Sequence, residues 1–428
     1  MIILERACSN AALSFTSCAM NGLNNAFFEW VDAHVLDNPS ALRLKFSSAK
    51  HADLDYASAI VQIECRRKFA SKFEEELNAF PRFYLPSMLA GEQASSDILA
   101  AYHASLLSEG LRLADFTAGL GIDVFHLARN AKELVAIEME HDRAEALRYN
   151  AAGLGLDHVC VKEGDCIEFI DDCIVQGRVF DAAFIDPARR DSTGKRVFAL
   201  ADCQPDVVAL LPKISQICRK LIVKASPMLD ISHTADALGK YLSRAVAVGT
   251  PTDCKELLLV LDFSNPSNEP EIEALVLTAG KKHSYRFLRS VENAMEMPVF
   301  GPVFKAGDYL YEAYPEVMKT GVFKLLAKDF GLSVIAPNTK LFYSDRIESA
   351  FPGHIYKVNE VLPYSSKIIK RIRKEKMKAN VATRNFGIGA DVLRNRLGIS
   401  DGGTLRLYGF SDASGNKMLA IAESVVIS

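Results

Sequence analysis

Apolar residues recur at helical spacing from residue 23 to about 105, and the pattern then changes to short β-rich runs alternating with helical stretches. The stretch HADLDYASAIVQIECRRKFASKFEEEL contains no glycine or proline and predicts a helix. FPRFYLPSMLAGEQASS (80–96) reads as an irregular connector, and SSDILAAYHASLL as a further helix with a serine cap. From about residue 111 the runs LRLADF, ELVAIEM, HVCVKEGD, FDAAFIDP, KLIVKAS, AVAVGT and ELLLVLDF predict strands. Helices such as DRAEALRYNAAG and DISHTADALGKYLS lie between them. This alternation predicts a doubly wound α/β sheet with helices on both faces. The last run follows the turn GTPTDC, too short for a crossover helix, so it is expected to enter antiparallel to its neighbour.

SNPSNEPE (264–271) has the composition of a linker. A smaller α/β region follows to about 355. The last 70 or so residues read β-α-β-α-β-β, an order that suits a split-βαβ module. The expected divisions are a helical region over 1–105, an α/β domain over 106–265, a second α/β region over 272–355 and the final module over 356–428.

Composition removes several classes. The 428 residues carry a net charge of −3, so any basic surface must be local. The cysteine count is nine, an odd number, and no CxxC pair occurs. That argues for reduced thiols in a cytoplasm rather than a disulfide framework or zinc ribbon. No apolar run reaches the roughly 18–20 residues of a membrane span. The first twenty residues have no basic segment ahead of their apolar ones, so no signal peptide is expected, and residues 1–22 receive no role.

The candidate chemistry starts at ADFTAGLGIDVFHLA (114–128). Gly119 and Gly121 follow a predicted strand and precede a predicted helix, a place where backbone can approach a ligand closely. Asp115 stands in front of them, and Val124 occupies the position where a dinucleotide fold has a third small residue. A carboxylate at Asp115 would repel a pyrophosphate and attract an ammonium. S-adenosylmethionine carries an α-amino group, a carboxylate for backbone amides and two ribose hydroxyls. The next strand ends in Glu138, about 20 residues on, the usual place for a carboxylate that grips ribose. The third ends in Gly164-Asp165-Cys166, where an acid could reach the adenine amine.

The fourth strand ends in Asp186-Pro187-Ala188-Arg189. A carboxylate held by proline there can accept hydrogen bonds from an exocyclic amine and aim its nitrogen at the methyl carbon. In-line positioning carries most of the acceleration for so good a leaving group. Arg189 and Arg190 are candidates for phosphate contact, equally readable as a solvated loop.

DFTAGLGID, AIE, GD and DPARR resemble the class I S-adenosylmethionine-dependent methyltransferases of nucleic-acid bases. From about residue 25 the chain resembles the THUMP-like-domain methyltransferase family, through EQASS, KASPMLD, LYEAYPEVMKTG, PNTKLFYS, FPG and KANVATRNF. The resemblance implies a Rossmann-like seven-stranded methyltransferase sheet behind a helical region, followed by ferredoxin-like and THUMP-like α+β modules. It implies an RNA methyltransferase using S-adenosylmethionine and acting on tRNA or rRNA. Donor contacts are expected at Asp115, Thr117, Gly119, Gly121, Asp123, Glu138, Asp165 and Cys166, and catalytic positions at Asp186 and Pro187. Ala188 and Arg189 depart from the Pro-aromatic pair of amine methylases, so base stacking must come from elsewhere, and Arg189 itself is one source. The glycine loop is similar to that of guanine-N2 methylases, which favours that atom over adenine N6.

SSKIIKRIRKEKMK (365–378) carries seven Lys or Arg and one Glu. On a helix Ile368, Ile369 and Ile372 face inward and the basic residues outward. Lys370, Arg371 and Lys374 are therefore candidate RNA-phosphate contacts, against the plainer reading of a solvated face. Cys166 and Cys203 lack the sequence context of a methylating nucleophile. No HxxxH or HExxH spacing occurs, so no metal site is expected, and His126 and His158 read as structural. Two other function classes stay open: a non-catalytic RNA-binding or assembly protein with a donor pocket, and a small-molecule methyltransferase. A dinucleotide oxidoreductase fits least.

Overall fold

The computed structural model describes residues 23–47, 54–188, 199–278, 281–298, 300 and 304–425. The chain divides into two compact units. One contains residues up to 225 together with 232–242 and 259–266, and the other contains 226–231, 243–258 and 267–428.

The first unit opens with helices Asn25–His34, Pro39–Phe46 and Tyr56–Phe69. Asn24, Asn38 and Asp55 cap them, each side chain accepting from backbone N–H groups that a helix start leaves unpaired. The long helix expected after residue 51 is two. It ends at Phe69, and Glu74–Ala79 begins after a turn that buries Phe73. The connector 80–96 holds a short helix, Met88–Gln93, capped by Ser87. Ser96 occupies the cap position of helix Asp97–Ser105 but makes no capping hydrogen bond with its side chain.

Five strands follow, all parallel: β1 (Leu111–Asp115), β2 (Ala131–Glu138), β3 (Val159–Glu163), β4 (Phe180–Ile185) and β5 (Cys218–Ala225). Their spatial order is β3-β2-β1-β4-β5, with β1 at the reversal, and the fold is Rossmann-like. β1, β2, β4 and β5 end in runs of buried residues, as strands covered on both faces do, whereas β3 at the edge stays half-buried. Register aligns the carboxyl ends. Asp115 pairs with Ala136 and Phe184, Glu138 with Glu163, and Ile185 with Val223. The polar residues that end these strands therefore share one edge of the sheet. Strands β6 (Leu242–Thr250) and β7 (Asp253–Asp262) are divided between the two units.

In the second unit β8 (Glu271–Thr278) pairs parallel with β6, and β9 (Lys281–Leu288) pairs antiparallel with β8. A separate seven-stranded sheet comprises β10 (Tyr309–Ala313), β11 (Ser333–Val334), β12 (Phe342–Ser344), β13 (Gly353–Pro363), β14 (Lys378–Arg384), β15 (Ser400–Ser411) and β16 (Lys417–Ser424). Its order is β11-β12-β10-β13-β16-β15-β14. From β13 onward the elements follow the expected β-α-β-α-β-β sequence, with β14 and β15 parallel around helix Ala390–Leu397. Ile372, Leu393, Leu397, Leu407 and Leu419 are fully buried between those helices and the sheet.

Candidate active site

The loop after β1 is built on its own backbone demands. Gly119 and Gly121 both have positive φ, +58° and +94°. A Cβ on Gly121 would lie 2.2 Å from Leu147 Cδ1, so only glycine fits. A Cβ on Gly119 would meet nothing within 4 Å, so that side of the loop is open. Thr117 N donates to Asp115 Oδ1 at 2.9 Å, and Gly119 N donates to Glu138 Oε2 at 2.8 Å. Glu138 Oε1 accepts from Glu140 N at 2.8 Å and from Arg143 Nε at 3.0 Å. Glu138 thus fixes the glycine loop from the neighbouring strand, a role its expected ribose contact does not include.

Asp115 is 1% exposed, and its Oδ2 has no hydrogen-bond partner among the described residues. Burial pushes its pKa well above the ordinary carboxylate range, opposed by the Thr117 N–H. A buried carboxylate oxygen without a donor is costly. An ammonium placed at Oδ2 would relieve that cost, so the residues present fit an amino-acid-bearing methyl donor.

Asp165 is exposed and caps helix Cys166–Gln176, accepting from Ile167 N at 2.6 Å. Cys166 is buried behind it, and burial raises its thiol pKa to about 11, which does not suit a nucleophile. Asp123 has other partners. Its Oδ1 lies 2.7 Å from His103 Nδ1, and its Oδ2 accepts from Ser95 Oγ at 2.6 Å. These partners come from the helical region, so both carboxylate oxygens are engaged by the protein.

At the carboxyl end of β4 Asp186 N donates to Thr117 Oγ1 at 2.6 Å, which ties β4 to the glycine loop. Pro187 is buried. Lys224, at the carboxyl end of β5, donates to Asp186 Oδ2 at 2.7 Å and to Ser95 Oγ at 3.0 Å. The side chains form one chain of contacts: Asp186, Lys224, Ser95, Asp123, His103. Lys224 and Ser95 received no role from the sequence, although KASPMLD and EQASS contain them. Strand register was the available signal, because Ile185 pairs with Val223 and the next residues are Asp186 and Lys224. Arg189 and Arg190 lie outside the described residues. Cys203 is buried, and its Sγ lies 3.8 Å from Ala199 O.

In the C-terminal module helix Ser366–Glu375 turns Ile372 fully inward, with Ile368 and Ile369 packed against the same cluster. Lys370 and Lys374 are exposed. Arg371 is not available in the way expected. Its Nη1 donates to Glu360 Oε1 at 2.8 Å, its Nη2 pairs with Glu360 Oε2, and its Nε lies 3.2 Å from Glu375 Oε1.

Comparison with known proteins agrees with this architecture. Residues 309–352 match a ferredoxin-like domain family, and residues 353–423 match a THUMP-domain-like family. An uncharacterized S-adenosylmethionine-dependent methyltransferase of Mycobacterium tuberculosis, in strains CDC 1551 and H37Rv, is 24% identical over 310 residues. That alignment covers 72% of this chain and 78% of the relative. The crystal structure of a proposed methyltransferase from Porphyromonas gingivalis W83 superposes with a TM-score of 0.83 at 29% identity. The match covers 94% of this chain and 98% of that one. No helix among the described residues is long and apolar enough to cross a membrane.

Proposed function

This chain belongs to the THUMP-like-domain class I S-adenosylmethionine-dependent methyltransferases, and from that premise we propose that it methylates an exocyclic amine of an RNA base in the cytoplasm, guanine N2 in preference to adenine N6. The substrate is tRNA or rRNA. The donor, bound over the glycine loop, supplies a methyl group on a sulfonium that leaves as a neutral thioether.

The observation that carries this reading is the shared edge where Asp115, Glu138, Asp165 and Asp186 end four adjacent strands or their turns. Glu138 holds Gly119 of the loop, whose other side is open, and the buried Asp115 oxygen suits the donor's ammonium. Asp186 stands one strand further on, tied to the loop by Thr117 and oriented by Lys224. Its carboxylate can accept from an amine N–H and turn the nitrogen lone pair toward the methyl group. Pro187 limits the backbone freedom of that turn. No residue needs to remove a proton before transfer, so placement is the main contribution of the protein.

RNA as acceptor is supported by the THUMP-domain-like module and by the exposed lysines of helix Ser366–Glu375. The test is to incubate the full chain with isotopically labelled donor and total RNA, then identify labelled nucleosides by mass spectrometry. Labelled N2-methylguanosine is the expected product. Label in another base or atom would move the acceptor, and label only in small molecules would overturn the RNA reading.

A further inference from the structure

Three buried side chains far apart in sequence converge in the first unit. Glu76 comes from helix Glu74–Ala79, Asp97 starts helix Asp97–Ser105, and His126 lies in helix Ile122–Ala128. One donor atom from each lies within 4.8 Å of the others. Glu76 and His126 are each 1% exposed.

These groups approach one another at ion-pair distance. His126 Nε2 is 3.2 Å from Glu76 Oε1 and 4.0 Å from Asp97 Oδ1. Yet His126 Nε2, Asp97 Oδ1 and Glu76 Oε2 have no hydrogen-bond partner among the described residues. One orphaned polar atom on each of three converging buried side chains is an expensive arrangement in an apolar setting. Neighbouring contacts hold the groups in place. Asp97 Oδ2 accepts from Glu75 N at 2.8 Å, which turns Oδ1 toward the others. Arg129 Nη2, 3.4 Å from Glu76 Oε1, offsets part of the negative charge.

We propose that Glu76, Asp97 and His126 hold a divalent transition-metal ion of the zinc class. Tetrahedral ligands at about 2.1 Å from zinc stand roughly 3.4 Å apart, and the two separations from His126 Nε2 bracket that value. One imidazole and two carboxylates suit Zn²⁺, Mn²⁺ or Fe²⁺ rather than a soft thiophilic ion. The role is structural. The ion would cross-link two helices of the N-terminal region to helix Ile122–Ala128, directly after the glycine loop. The absence of HxxxH spacing says nothing against it, because the ligands come from three separate helices.

The experiment uses the full chain, purified without chelators or immobilised nickel. Elemental analysis should find about one metal ion per chain, as a single site requires. Chelation should lower the melting temperature, and adding Zn²⁺, Mn²⁺ or Co²⁺ should restore it. The Co²⁺ form should show visible ligand-field bands. His126→Gln and Glu76→Gln each keep roughly the packing volume and should weaken metal binding at least about tenfold. If a variant does not fold, the metal content and chelator response of the wild-type protein decide alone. Wild-type protein with only trace metal and melts indifferent to chelator and added ion would overturn the proposal. So would full metal content in both folded variants.

Discussion

Lys224 Nζ lies 2.7 Å from Asp186 Oδ2, across the carboxyl ends of the paired strands β5 and β4. The lysine side chain is 7% exposed and the aspartate 29%, so the pair sits at the boundary between protein and solvent. An ammonium on one oxygen fixes the orientation of the carboxylate. Ser95, itself held by Asp123, in turn accepts from the ammonium. Replacing Lys224 with Met keeps most of the volume and removes the tie. Methyl transfer to total RNA should then fall on the order of a hundredfold, the usual result of losing about 1 Å in placement. Donor affinity, measured by calorimetry, should change little. A variant with near-normal turnover would show that the pair only stabilises the fold.

Asp115 should govern donor binding and its pH dependence. Burial raises its pKa, while a bound ammonium favours the charged form. Donor binding therefore releases a proton wherever the free protein holds Asp115 protonated, and affinity rises with pH up to the raised pKa. Asp115→Asn should weaken binding roughly ten- to hundredfold and remove the pH slope. Titrations in two buffers of different ionisation enthalpy measure the proton release directly. Equal heats in both buffers for the wild-type protein, at a pH where Asp115 is protonated, would sink this account. Glu138→Gln should weaken binding too, with a loss of thermal stability, because Glu138 also holds Gly119, Glu140 and Arg143.

The strand ends were legible because each strand of the Rossmann-like half is an apolar run closed by a polar residue. LRLAD, FDAAFID and the run ending at Glu138 could be read this way from pattern alone. Partners across the sheet were less legible. Lys224 is 38 residues from Asp186 and 129 from Ser95; the register of β4 on β5 brings it to Asp186, and the turn after helix Met88–Gln93 brings Ser95. The protein partners of Asp123 were hidden for a related reason. The residue sits beside the glycine loop in sequence, but its helix presents it to Ser95 and His103. In the C-terminal module, charge counting located the basic helix. It could not foresee Glu360, which arrives on β13 and pairs with Arg371.

Glu316 should give the second unit a pH-dependent stability. It is fully buried, and neither carboxylate oxygen has a hydrogen-bond partner among the described residues. Gly249 makes room for it, since a Cβ there would lie 2.0 Å from Glu316 Oε1. Burial pushes its pKa from 4.5 up to about 7. The folded value is raised, so folding takes up a proton. The contribution is fully present below the unfolded pKa and is lost as pH rises through about 7. Urea unfolding should show a loss of up to about 3 kcal/mol between pH 4.5 and 7 from this group, at 1.36 kcal/mol per pH unit. Glu316→Gln should flatten that part of the profile. An identical profile in the variant would assign the dependence to another group.

The basic helix should bind RNA through its lysines and not through Arg371. Lys367, Lys370 and Lys374 are exposed on helix Ser366–Glu375, whereas Arg371 already has Glu360 and Glu375. Breaking a bidentate arginine–carboxylate pair to reach a phosphate yields little net gain. Lysines in solvent can neutralise phosphates and release the counterions condensed on the RNA. Replacing the three lysines with Ala should lower RNA affinity and flatten its salt dependence, by up to about 0.7–0.9 slope units per lost phosphate contact. Arg371→Ala alone should leave the slope nearly unchanged and lower thermal stability modestly, since an exposed pair of this kind is worth at most about 1 kcal/mol. Donor binding should be unaffected in both proteins, and preference among RNA sequences should persist, because phosphate contacts position and base contacts specify. A salt titration of RNA binding by the triple variant and by Arg371→Ala separates the two cases. If the triple variant keeps the wild-type slope and affinity, the helix is a solvated face and RNA contacts lie elsewhere. If Arg371→Ala lowers the slope by a full contact, the ion pair with Glu360 opens on binding.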